Sequence, residues 1–341
     1  MSSFTSNFKK YPFILLAGIL VFFVTQGIIG KFNSFWEFCY SYSKPRQDDP
    51  IRLAIKLKEM PAAQNKVFLT GSSQTREGFD VKYLNERFEK DNLRFYNLGI
   101  SGDGPPIDMF MLKEKFFRKD PDIIIYMPYV GSFYKDYDFK KMQYYFNPAI
   151  LPYIIKYLGV KTLIENTGNL IDGLIGEVSF FYKYRSSFRS ILTNYIYYRG
   201  EFNKDSRLSS YAVEDKPGSY YINKIEVAKK NNFPDKYYLS SYTELNKYLF
   251  IKYAKEIIDK KILFIVINSP TQPLIGSFYD NNIDSLLDNF LSVSAANLGF
   301  IYLSKQELPK FTEDDFADFT HLNSSGRRKL TSFLERYLKN G

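Results

Sequence analysis

Five short apolar runs limit most sharply what this chain can build. They are KVFLT ending at Thr70, RFYNL ending at Leu98, DIIIYM ending at Met127, KILFIVIN ending at Asn268 and FIYL ending at Leu303. Runs this short and this continuously apolar suit parallel strands covered on both faces. Segments of helical period stand between them, over residues 80–90, 106–118, 239–259 and 283–298. Parallel neighbours need a crossover, commonly a helix, so the pattern predicts a doubly wound α/β sheet of mainly five parallel strands. The rhythm breaks once, where roughly 130 residues separate the third run from the fourth. One crossover helix does not need that length, and a helical insertion is expected over about residues 135–238.

Residues 11–30 read YPFILLAGILVFFVTQGIIG, without a charge. At about 1.5 Å per residue such a helix rises roughly 30 Å, the thickness of a hydrocarbon core. The expectation is a single transmembrane anchor; a buried helix of a soluble protein is the other reading. The apolar run is longer than a signal-peptide core and no A-x-A-like cleavage site follows, so the segment is expected to remain. Lys9 and Lys10 precede it and Lys31 follows. A short basic N-terminus, residues 1–10, is expected in the cytoplasm, with the rest outside. Residues 31–60 read as a stalk containing a short helix from Ile51 to Met60, and residues 61–341 as the folded domain. Two further apolar stretches, 144–160 and 169–181, are interrupted by Pro148, Pro152 and Lys156, and by Asp172 and Glu177. Both read as amphipathic or core helices. The basic, aromatic stretch SFFYKYRSSFRSILTNYIYYRG within the insertion either packs its rings inward or presents a face to the membrane or a membrane partner.

The formal charge of +9 is spread along the chain among acidic residues. No zinc-finger spacing, arginine-rich arm or RNA-binding aromatic signature accompanies it, so nucleic acid is not expected as a partner. Anionic lipid or an anionic envelope polymer accounts for the same charge. Cys39 is the only cysteine and His321 the only histidine, so neither an intrachain disulfide nor a common zinc set is available. No P-loop, dinucleotide fingerprint or HExxH is present, and no cofactor or metal is expected.

In open α/β sheets ligands bind beyond the carboxyl ends of the strands. GSSQTREGFD follows the first run, and Ser73 there stands at a strand-to-helix turn, where free N–H groups favour an oxyanion. Gly-Ser-Ser before a helix is also an ordinary N-cap. NLGISGDGPP follows the second run; the Gly102 N–H is a candidate second oxyanion donor, and a plain loop is the other reading. DFTHLNSSGRRKL follows the fifth run, with Asp318 three residues before His321 and a helix starting near Asn323. A serine nucleophile needs a base, and the base needs an acid to orient it, so Ser73, His321 and Asp318 are the candidate catalytic residues.

These blocks, GSSQTREGF, NLGISG and DFTHLN, resemble those of the SGNH or GDSL hydrolase superfamily. The resemblance is closest to its membrane-anchored branch, similar to the D-alanyl transfer protein of teichoic acid synthesis and to alginate O-acetyltransferase accessory proteins. It covers about residues 66–338 apart from the insertion. It implies a flavodoxin-like sheet and an extracytoplasmic acyltransferase or esterase acting on an envelope polysaccharide or a lipid-linked acyl donor. The backbone N–H groups of Ser73 and Gly102 would hold the oxyanion. The chain departs from the family where a Gly-x-Asn-Asp block would follow the third strand: MPYVGSFYKD has no asparagine. Losing one such donor costs about 2.7 to 4 kcal/mol of transition-state stabilisation. That leaves open a transferase that borrows a donor from its acceptor or partner, and a weak or inactive scaffold serving a membrane-embedded acyltransferase.

Overall fold

The computed structural model describes residues 11–32, 34–36, 49–61, 65–100, 104–105, 113–134, 139–185, 188–189, 241–273, 283–318 and 320–340. In chain order its elements are α1 (Tyr11–Ile29), α2 (Asp49–Glu59), β1 (Asn65–Gly71), α3 (Ser73–Gly78), α4 (Val81–Arg87), β2 (Leu93–Asn97), α5 (Lys113–Phe117), β3 (Ile123–Met127) and α6 (Val130–Phe133). Then come α7 (Met142–Tyr145), α8 (Leu151–Glu165), α9 (Thr167–Val178), α10 (Phe180–Lys183), α11 (Ser241–Asp259), β4 (Leu263–Ile267), α12 (Ile283–Leu298), β5 (Ile301–Leu303) and α13 (Ser324–Asn340).

Each of the five apolar runs forms a strand. They join in the order β2-β1-β3-β4-β5, every pair parallel. This is a flavodoxin-like sheet, and the chain leaves β1 toward β2 on one side before crossing to β3 on the other. The carboxyl end of β1 is therefore the topological switch point, where such folds place their ligands. Alternate strand residues feed two cores. Val67, Leu69, Ile125, Met127, Ile265 and Ile267 pack with Leu84 of α4, Phe88 just past its end, and Leu330 and Leu334 of α13. On the other face Phe68 meets Phe116, while Phe250 of α11 meets Tyr126, Phe264 and Phe300.

The chain divides into two compact units. One comprises Met1–Ile55, Lys140–Phe146 and Gly168–Asn203; the other comprises Lys56–Phe139, Asn147–Thr167 and Lys204–Gly341, and holds the sheet. In the first unit Trp36, Ile51 and Tyr184 are buried together, with Phe35, Tyr144, Phe180 and Phe188 packed against them. The segment expected to act as a stalk thus supplies Trp36 and Ile51 to a small core. Of the insertion's rings, Tyr144, Phe180, Tyr184 and Phe188 turn inward onto it. Residues 190–238 of the insertion lie outside the described residues.

Helix α1 carries its apolar side chains largely exposed from Leu16 onward. Among the described residues no helix is long and apolar enough to cross a membrane.

In the sheet unit, α13 is fastened to the corner formed by α3 and α4. Arg327 Nε donates to the Glu77 carbonyl at 2.8 Å, the Asp80 N–H to Thr331 Oγ1 at 3.0 Å, and the Tyr83 hydroxyl to Glu335 at 2.7 Å. The buried Glu77 carboxylate lies 2.8 Å from Arg76 Nε and 3.9 Å from an Arg327 nitrogen. Removing one partner of a buried ion pair leaves uncompensated charge, at a cost of about 3 kcal/mol or more. Glu77→Ala is therefore expected to lower the apparent Tm by several degrees in a thermal melt, and an unchanged Tm would show that this corner does not hold α13.

Candidate active site

The first strand ends on a residue that must be glycine. Gly71 has φ +127°, and a Cβ there would stand 2.5 Å from both the Met127 carbonyl oxygen and the Thr75 hydroxyl. That close approach sets the chain to turn from β1 into α3. Ser72 is the N-cap, with extended backbone and a hydroxyl that accepts the Gln74 N–H at 3.2 Å. Ser73 is the first helical residue, so its hydroxyl is not consumed in capping. Both readings of Gly-Ser-Ser thus hold, each for a different serine.

The second part is a loop closed at its neck. Phe316 and Leu322 form an antiparallel bridge, the Ala317 N–H donates to the His321 carbonyl at 2.7 Å, and the Asn323 N–H donates to the Asp315 carbonyl at 3.0 Å. Buried Asp315 anchors the base of the loop, accepting from the Thr312 N–H at 2.9 Å, Ser325 Oγ at 2.9 Å and Lys329 Nζ at 2.6 Å. At the tip, Asp318 Oδ1 accepts the backbone N–H groups of Thr320 and His321, each at 2.9 Å. This is an Asx-type turn, and it fixes the carboxylate relative to the imidazole three residues on.

His321 joins the two parts. Its Nδ1 lies 2.9 Å from each Asp318 carboxylate oxygen, and its Nε2 lies 2.8 Å from Ser73 Oγ. With Nδ1–H facing a carboxylate, Nε2 is left with a lone pair to accept the serine proton. Burial pushes the Asp318 carboxyl upward, but the hydrogen bond and charge of His321 and the two backbone N–H groups outweigh it and hold the group well below the usual carboxylate range. Asp318 is thus kept ionised. His321 and Asp318 are only part-buried, so the serine–imidazole contact is reachable from solvent. No protein-family model matches this chain, and no curated protein is significantly similar to it. What the site can do must therefore be read from its own geometry. Serine, imidazole and carboxylate hydrogen-bonded in sequence are the arrangement that deprotonates a hydroxyl as it attacks an acyl carbonyl.

Gly102, the candidate second oxyanion donor, lies outside the described residues. The loop leading to it runs beside β1, since Leu98 N–H donates to the Leu69 carbonyl and Ile100 N–H to the Gly71 carbonyl, each at 2.8 Å. Asn97 holds this loop to α3, the helix that begins with Ser73. Its Nδ2 donates to the Thr75 and Arg76 carbonyls at 3.1 and 3.0 Å, while its Oδ1 accepts the Gly99 N–H at 3.1 Å. Sequence reasoning missed that role, although Asn97 stands in the block it quoted.

It also missed the pair formed by Gln74 and Ser269. The Ser269 hydroxyl, just past β4, donates to Gln74 Oε1 beside Ser73, and both side chains are buried. No sequence signal links two residues 195 positions apart. After β3 the chain offers Pro128 and Tyr129 and then enters α6, with no amide side chain. Asn268, at the end of β4, spends its amide on Asp288 and the Tyr302 hydroxyl.

Proposed function

We propose that this protein is a membrane-anchored, extracytoplasmic acyltransferase or esterase of the SGNH type, acting on an envelope polysaccharide or a lipid-linked acyl group. The observation that carries the reading is the unbroken chain from Ser73 Oγ through His321 to the Asp318 carboxylate. Ser73 attacks the acyl carbonyl while His321 Nε2 takes its proton, and the backbone N–H groups of Ser73 and Gly102 are the candidate donors to the developing oxyanion. His321 then gives the proton to the departing oxygen, leaving an acyl group on Ser73. A hydroxyl of the acceptor, deprotonated by the same imidazole, takes the acyl group, and water in its place gives hydrolysis. Asp318 stabilises the imidazolium formed in each half.

The charge-free run over residues 11–30 is the anchor in this reading, with Lys9 and Lys10 on the cytoplasmic side. A membrane-embedded acyltransferase that delivers the acyl group is the partner such an arrangement would serve. One experiment addresses chemistry and location together. A charged, membrane-impermeant fluorophosphonate added to intact spheroplasts should label the full chain, with the adduct on the peptide containing Ser73. Labelling only after lysis would refute the extracytoplasmic location, and no labelling under either condition would refute the nucleophile.

A further inference from the structure

Helix α9 is turned inside out. Its buried residues are Gly173 and Gly176, and a Cβ on them would come 2.7 Å from the Phe146 ring and 2.7 Å from the Gln143 carbonyl oxygen. The helix packs into its unit through that glycine face. Its large aliphatic residues point the other way: Ile171 is 49% exposed, Leu174 54% and Val178 66%, with Ile175 between them also exposed. At about 100° per residue these four fall within roughly 100° of the circumference, opposite the glycines. A helix at a water-facing surface buries such a stripe. The sequence had been expected to give an amphipathic or core helix here; close packing on the glycines has reversed it.

The charges flanking the stripe are neutralised within the unit. Asp172 accepts from the Tyr182 hydroxyl and from Arg185, and Glu177 accepts from Lys183 Nζ at 2.6 Å. The end of the helix is fixed to α1. The Ser179 hydroxyl donates to Gln26 Oε1 at 3.0 Å, both side chains being buried, and the Phe181 ring lies 5.9 Å from Phe22. Residues 179–181 thus lie along the last two turns of the apolar helix, and they satisfy the amide that would be costly to leave unpaired in hydrocarbon.

From this we infer that the exposed stripe Ile171, Leu174, Ile175 and Val178 is a lipid-binding surface, inserted into the outer leaflet beside α1. The inference rests on α1 being a membrane anchor, because contact with Phe22 and Gln26 then places the start of α10 at membrane depth. A bilayer is favoured over a protein partner by the chemistry of the face. It is wholly aliphatic, whereas binding hot spots on proteins are rich in Trp, Tyr and Arg, and Phe35, Trp36, Tyr144, Phe180, Tyr184 and Phe188 of this unit are packed in its own core.

The test uses the full chain in phosphatidylethanolamine–phosphatidylglycerol vesicles, in a Cys39→Ser background. Nitroxide labels are placed singly at Leu174→Cys, Val178→Cys, Leu20→Cys and Lys82→Cys. These positions are exposed, so the labels should not disturb packing. Labels at 174 and 178 are expected to lose collisions with an aqueous nickel chelate and gain collisions with oxygen, as at 20 and unlike at 82. Nickel access at 174 and 178 equal to that at 82, with 20 protected, would overturn the lipid surface while leaving the anchor intact. Labels shielded from both reagents would mean a protein covers the face, which also overturns it. A water-exposed label at 20 would overturn the anchor, and this inference with it.

Discussion

Ser73→Ala is expected to reduce kcat/KM for an activated aryl ester by at least about 10⁴-fold, the scale on which losing a serine nucleophile acts. The wild-type rate itself should be modest, since no amide side chain follows β3 and one missing oxyanion donor costs about 10²- to 10³-fold. Full-length protein should nevertheless show an acyl-enzyme burst that the variant lacks. Ser73 is not the helix cap, and its hydroxyl has His321 as its hydrogen-bond partner, so the variant should fold and express normally. His321→Ala should fall to the same residual rate, and the double variant no lower, because the residues act as one unit. In a strain lacking the gene, failure of both single variants to restore the wild-type phenotype at wild-type abundance supports chemistry. Full rescue by both would make the protein a scaffold for a membrane-embedded acyltransferase.

Asp318→Asn separates orientation from folding. An asparagine oxygen at the Oδ1 position still accepts the N–H groups of Thr320 and His321, so the turn survives and the Tm should hold. The amide NH₂ then faces Nδ1 in place of a carboxylate oxygen. Imidazole that accepts this NH₂ at Nδ1 carries its proton on Nε2, and the lone pair that should take the Ser73 proton is then gone. A loss of about 10⁴-fold in kcat, with KM little changed, is expected from wrong-tautomer placement of this kind. A loss accompanied by a fallen Tm would instead mean that Asp318 acts chiefly to close the loop. Retained activity would remove the carboxylate from the mechanism.

Much of this molecule was legible in the chain because the physics involved is local. Short continuous apolar runs alternating with helical segments suit strands covered on both faces, and all five formed. Asp318 and His321 sit three residues apart, a separation at which one turn brings carboxylate and imidazole together. Gly71 followed by two serines marked the turn out of β1. Ser73 could be singled out from its place at the strand-to-helix turn, but whether its hydroxyl meets the imidazole depends on where a loop 248 residues away comes to rest. The tertiary structure decided it, through the bridge between Phe316 and Leu322 and the fastening of α13 to Glu77 and Asp80. It also decided that Asn97 clamps α3 and that Ser269 holds Gln74, since hydrogen bonds between distant residues leave no periodic trace. The orientation of α9 shows the same limit. Its sequence offers an aliphatic stripe and a pair of glycines on opposite sides, and periodicity alone cannot say which side turns inward. Close packing against Phe146 and Gln143 requires the glycines, and that sends the aliphatic side chains out.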